Sequence, residues 1–141
     1  MSIDPQKLPD PAAFAARMEK VVDIPATERQ ADPLIWLAGN KPVGFTTLNN
    51  IQRPEQGDIH LHMIDPSLRG KGYGQILFMM SVNEYFRRHS LKKIICQPSA
   101  KNPAPNRLMA ALKVPITKTY LTIPSPICFE HEVNRYEFLR G

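Results

Sequence analysis

Apolar residues recur at different intervals along the chain, and each change of interval marks a new element. From Asp58 to Ile64, DIHLHMI, the residues Ile59, Leu61 and Met63 alternate with Asp58, His60 and His62, the period of two that a half-buried strand requires. From Ile76 to His89 apolar residues run nearly all round a helical wheel, leaving Ser81, Glu84 and Arg88 as a narrow polar stripe. Arg87, Arg88 and His89 stand at the C-terminal end, where the helix dipole favours positive charge. That pattern predicts a long, well-buried helix. Upstream, LIWLAGN (34–40) and KPVGFTTLNNI (41–51) predict two strands joined at Gly39-Asn40 as a hairpin, and a turn over 53–57 leads into the alternating strand. Downstream, LKKIICQ (91–97) predicts a short strand, 102–113 a helix entered through two prolines, and 117–123 with 127–139 a closing pair of strands. At the front, Pro11 follows Asp10, and Phe14, Met18 and Val21 or Val22 share one stripe. A short amphipathic helix is expected over 11–22, after a loosely ordered arm.

The resulting order is helix, three strands, helix, strand, helix, two strands. It predicts an α/β fold with a mixed sheet flanked by helices, parallel where the long helix crosses over. With 141 residues, the chain is expected to form one domain with one core. Composition then narrows the setting. Apolar content of 43% and charged content of 22% are ordinary for a globular protein, and no apolar run approaches the ~20 residues that span a bilayer. The first residues lack the basic start and apolar centre of a secretory leader, so a cytoplasmic protein is expected. Cys96 and Cys128 are too few for a disulfide framework, and reduced thiols are the default. A net charge of +5 suits polyanionic partners, nucleic acid or a phosphorylated cofactor alike. No aromatic residues interleave the basic ones, which disfavours a nucleic-acid face.

The glycines at 70, 72 and 74 fall between the alternating strand and the long helix. A glycine-rich turn from strand to helix aligns unpaired amides with the positive end of the helix dipole, a nest for phosphate oxygens. Arg69 and Lys71 add full charges. The P-loop pattern is absent, and the dinucleotide pattern fails because its third glycine would fall at Gln75. The pattern met is [RQ]-x-x-G-x-[GA], written Arg69-Gly70-Lys71-Gly72-Tyr73-Gly74.

That hexapeptide, with its flanking elements, resembles the acyl-CoA-binding motif of the GNAT superfamily of N-acyltransferases over about Leu34 to Leu139. The resemblance implies a single GNAT-like domain over 1–141, with 1–33 a short N-terminal helical region and 34–139 the core. It implies acetyl-CoA as acyl donor, its diphosphate lying against the amides of Gly70 to Gly74 and Gln75. The pantetheine arm would pair with the backbone of Met63 and Ile64, splayed from the strand carrying residues 97–100. Asn102 and Asn106 stand where the family contacts the cofactor arm, with helix capping as the competing role. The activity implied is transfer of an acetyl group to a primary amine of a small molecule or peptide, by direct attack in a ternary complex. Two alternatives stay open: an acyl-CoA-binding module without turnover, and a basic nucleic-acid-binding domain. Membrane association is not expected, and pairing into a homodimer is left open.

Acyl transfer to an amine needs a neutral amine, and it profits from a base and from an acid for the leaving thiolate. Asp58 stands where many relatives carry a carboxylate base. His60 and His62 share its face and titrate near neutrality, with Asp58 expected to raise their basicity. Both histidines also suit a plain polar strand edge. A zinc pair at His60 and His62 would have to be completed by Cys96, Cys128, His89 or His131, at no recognisable ligand spacing, so no metal is expected. The family's acid, a tyrosine seven residues after the asparagine, is replaced by Met109. Tyr120 and Cys96 are the remaining candidates for that role, and Tyr120 also reads as a packing residue. The acidic side of 127–138, Glu130 and Glu132, suits either a cationic amine or a solvent-facing edge.

Overall fold

The computed structural model describes residues 10, 12–13, 16, 19–20, 23–63, 67, 70–122 and 130–141. Ile64, Arg69, Cys128 and most of the helix expected over 11–22 lie outside them. Of that helix, Ala12, Ala13, Ala16, Glu19 and Lys20 are helical, and the Asp10 carboxylate accepts the Ala13 amide at 3.1 Å.

Among the described residues, six strands form one mixed sheet. They are β1 (Asp32–Ala38), β2 (Lys41–Gln52), β3 (Gln56–Met63), β4 (Lys93–Cys96), β5 (Lys118–Leu121) and β6 (Glu132–Leu139). Their spatial order is β1-β2-β3-β4-β6-β5. Only the β3–β4 pair is parallel. The crossover between them is α1 (Tyr73–His89), and α2 (Pro103–Ala111) joins β4 to the last hairpin. The element order matches the sequence expectation. The first strand begins earlier than expected, at Asp32, and turns at Gly39-Asn40 with Gly39 at φ +63°.

Both helices lie on one face of the sheet. Phe78, Val82 and Tyr85 of α1 and Met109 of α2 join Leu48, Ile59, Ile94, Tyr136 and Phe138 in one buried cluster. Strand alternation sends Asp58, His60 and His62 to the opposite face. The long helix is less enclosed than its composition predicted. A single sheet face covers only one stripe of it, so Tyr73, Ile76 and Met80 are exposed. Ser81, expected on the polar stripe, is instead buried, because its hydroxyl accepts the Trp36 indole N–H at 2.9 Å and donates to the Leu77 carbonyl. The Trp36 ring lies so close to Gly44 that a Cβ there would stand 2.8 Å from it.

The C-terminal end of α1 is tied to β1 by a buried carboxylate. Asp32 is fully buried, and its oxygens accept from Arg29 at 2.9 Å, from Arg88 at 3.1 and 3.2 Å and from His89 Nε2 at 2.8 Å. Arg53 donates to His89 Nδ1 at 3.0 Å. Since a guanidinium can only donate, the His89 proton resides on Nε2 and the ring is neutral. Burial lowers the His89 pKa below 6.5, opposed by the hydrogen bond and charge of Asp32 and reinforced by Arg53 and Arg88. The unfolded chain therefore takes up a proton near pH 6.5 that the folded one refuses. Stability should be unaffected by this group above that pH and fall as pH drops through it. Thermal melts from pH 8 to 5 of the protein and of His89→Gln check this: the variant should lose part of that slope.

Candidate active site

The parallel β3–β4 ladder is short. It pairs Gln56 with Lys93, Gly57 with Ile94 and Asp58 with Ile95, and goes no further. Beyond Asp58, β3 continues along β2 as far as Met63. The chain after β4 turns the other way. Pro98 accepts the Asn134 amide at 3.1 Å, Ser99 bridges to Val133, and Ala100 donates to Glu132 at 2.9 Å, all on β6. Two neighbouring strands that separate in mid-sheet leave a cleft whose lips are the His60–Met63 backbone on one side and Gln97–Ala100 on the other.

The glycine turn stands at that same end, since β3 stops at Met63 and α1 begins at Tyr73. Gly70 has φ +75° and Gly72 φ +82°, conformations that cost a residue with a Cβ about 1–2 kcal/mol. Gly72 is the N-cap of α1 and makes no side-chain cap bond, so its own residue satisfies none of the first-turn amides. A Cβ placed on Gly70 or Gly72 would meet no atom within 4 Å, so there is open space in front of them. Open space, a glycine N-cap that supplies no side-chain acceptor and the positive end of a helix of 17 residues fit a diphosphate. Lys71, Tyr73 and Gln75 are exposed beside it.

On the β3 lip, Asp58, His60 and His62 do lie along one face. The Asp58 carboxylate accepts from Asn50 Nδ2 at 3.1 Å. Asn50 reaches it because β2 bulges there, with Asn50 at φ +49°. Sequence reasoning did not single out Asn50, although the Asn49-Asn50 pair is a signal of left-handed backbone. His62 stacks on Phe45, ring centroids 4.6 Å apart. The His60 side chain reaches solvent, yet protein atoms crowd its ring. That loss of water is the largest influence on it and lowers its pKa below 6.5, with Asp58 opposing and His62 adding to the effect. Burial likewise lowers His62. The expected rise in basicity from Asp58 acts on His60, where burial outweighs it, and His62 is shifted by burial alone; both shifts favour the neutral ring with an unprotonated nitrogen. Among the described residues, no three of His, Cys, Asp and Glu converge as a metal site would need.

The sequence model described as "Acetyltransferase (GNAT) family" matches residues 5–112, most of the chain. The chain belongs to the GNAT acetyltransferase family. No curated protein sequence matches it. Among solved structures, an acetyltransferase from Salmonella typhimurium that modifies the N-terminal serine of ribosomal protein L7/L12 superposes with a TM-score of 0.77 at 16% identity. The match covers 94% of this chain and 77% of that one. Spermidine N-acetyltransferase from Vibrio cholerae, solved with CoA and spermine, gives 0.75 at 15% identity, covering 94% and 76%. At such identities the likeness establishes the fold. The splayed strands and glycine turn are thus seen here in a GNAT chain.

The GNAT asparagines differ in what they do. Asn106 spends its whole amide inside the protein: Nδ2 donates to the carbonyls of Ser99 and Asn102, and Oδ1 accepts from Tyr136 and Asn134 at 2.7 and 3.0 Å. It fastens α2 to the cleft's second lip and to β6. Asn102 is the N-cap residue of α2, but its side chain makes no capping bond. Met109, where GNAT relatives often carry a tyrosine, is fully buried in the core. Cys96 is buried too, and burial pushes its thiol up to about 12, so it stays protonated and faces the helices rather than the histidines. Tyr120 lies half-buried on the histidine face, paired with Val133, and its hydroxyl donates to Gln97 Oε1. Gln97 was not singled out from sequence. It carries no signal there, because its importance arises from the splay.

Proposed function

We propose that this GNAT chain transfers the acetyl group of acetyl-CoA to a primary amine by direct attack within a ternary complex. The observation that carries the reading is the β3–β4 ladder ending at Asp58–Ile95 beside an uncapped, glycine-built helix N-terminus. Acetyl-CoA, when bound, supplies an activated thioester. The amides from Gly70 to Gln75, with Lys71 and Arg69, hold the diphosphate, and the backbone at Met63 and Ile64 aligns the arm in the cleft. Asn102 contacts that arm from the second lip. His60, neutral and beside Asp58, accepts the ammonium proton of the acceptor directly or through water, and His62 lines the same approach. Positioning supplies most of the rate. The acceptors of the structural relatives, a polyamine and a protein N-terminus, mark out the range to search.

An acetyl-CoA-dependent thiol-release screen over polyamines, small amines and peptides with free N-termini tests this. At least one class should turn over, with intersecting double-reciprocal lines. Acetyl-CoA binding without release against every amine would leave an acyl-CoA-binding module instead. With a good acceptor, turnover should rise with pH through a group below 6.5, faced by Asp58 and His62, and then level off. In His60→Ala/His62→Ala that acid limb should disappear and the rate fall by about a hundredfold. An unaltered profile removes both histidines from the chemistry.

A further inference from the structure

The cleft's two lips are in register. The ladder pairs Asp58 with Ile95, so two residues further on His60 and Gln97 stand at the same level, on the same sheet face, where the strands part. His60 is the proton acceptor of the reading above, on which this inference rests. Gln97 holds the hydroxyl of Tyr120. That phenol comes from the edge strand β5, where Tyr120 pairs with Val133 of β6, and the Lys118 ammonium lies 4.9 Å from its ring centre. The tether is adjustable. A glutamine amide offers an acceptor and a donor to the same partner. With its NH2 group toward the phenol oxygen, Gln97 would hold Tyr120 in place while the O–H turned into the cleft.

We propose that Tyr120, positioned by Gln97, is the acid that protonates the departing thiolate, taking over from the far lip the role that Met109 cannot perform. The exclusion of rivals is geometric. Cys96 and Met109 are buried among the helices, and the Tyr136 hydroxyl is committed to Asn106. The step balances: the amine nitrogen forms the C–N bond, the C–S bond breaks, and its electron pair leaves on sulfur. The phenol proton passes to that sulfur, one ammonium proton passes to His60, and the nitrogen's second proton leaves to solvent as the amide forms. Solvent then returns a proton from the imidazolium to the tyrosinate, restoring both groups.

A binding measurement separates this role from packing. At pH 9 a thiol of ordinary pKa, near 8.5, is mostly thiolate, and a charge-assisted hydrogen bond from Tyr120 should make CoA bind about tenfold tighter than desulfo-CoA. Calorimetry on Tyr120→Phe should show that preference gone with desulfo-CoA affinity unchanged, and on Gln97→Leu reduced. In turnover, Tyr120→Phe should lower kcat by about a hundredfold at an unchanged acetyl-CoA dissociation constant. A variant that keeps the CoA preference and kcat, or that loses only thermal stability, overturns the assignment. Absence of CoA binding by the unaltered protein overturns the acetyl-transfer reading and this inference with it.

Discussion

Asp32→Ala should lower the unfolding free energy by about 3 kcal/mol, the low end of what removing one partner from a buried ion pair costs. Against a total of about 5–15 kcal/mol for a domain, that is a large share. The low end applies because Arg29 and Arg88 keep 16% and 27% of their side chains in solvent and can relax outward. His89 has no such escape, being fully buried with its Nε2 proton directed at the missing carboxylate. The Asp32 carbonyl, which accepts from the Tyr85 hydroxyl at 2.7 Å, survives the substitution, so that link persists. Urea titration of both proteins measures the difference. A midpoint unchanged within error would mean that the carboxylate contributes nothing net. The cluster sits at the C-terminal end of a helix about 25 Å long, far from the glycine turn. At low temperature, where the variant is still folded, its acetyl-CoA affinity should equal that of the unaltered protein.

Gly72→Val should have the opposite profile: near-normal folding and no acetyl-CoA binding. A valine side chain has room at this position, but φ +82° is a conformation that a β-branched residue does not tolerate. The turn would flip to negative φ and rotate the leading amides of α1 away from the diphosphate. Since the strain concerns an exposed turn rather than the core, its cost to stability should be about 1–2 kcal/mol. Its cost to binding should be complete. Thermal unfolding reports both at once. A ligand at a hundred times its dissociation constant stabilises a protein by about 2.7 kcal/mol, and that increment should vanish in the variant. A preserved increment would remove the turn from the site. Gly72→Ala, with a smaller side chain in the same strained conformation, should fall between the two.

Much of this site could be read from local pattern. Alternation alone put Asp58, His60 and His62 on one face of β3, because side chains in a strand point to opposite sides in turn. Three glycines ahead of a long amphipathic run marked the helix start and its anion-binding amides. Other parts were invisible for one reason: they depend on residues distant in sequence. Ser81 looked like a solvent-facing position until Trp36, 45 residues away, supplied its hydrogen bond. Asp32 was unremarkable without Arg88 and His89, at separations of 56 and 57. Asn106 read as a contact for the cofactor arm or a helix cap, and two of its four hydrogen bonds, from Asn134 and Tyr136, arise only once β6 returns beside β4.

The sequence by itself determined the order of elements, the periodicity of each, the placement of the glycines at a helix start and the family. Those are properties of neighbouring residues, set by steric limits on each backbone position and by spacing along one face. Only the tertiary structure decided where β3 and β4 part, which face the helices cover, and that Tyr120 is brought to Gln97 opposite His60. Strand pairing and its termination are settled by competition among distant segments for the same hydrogen bonds, and no local run of residues records the outcome.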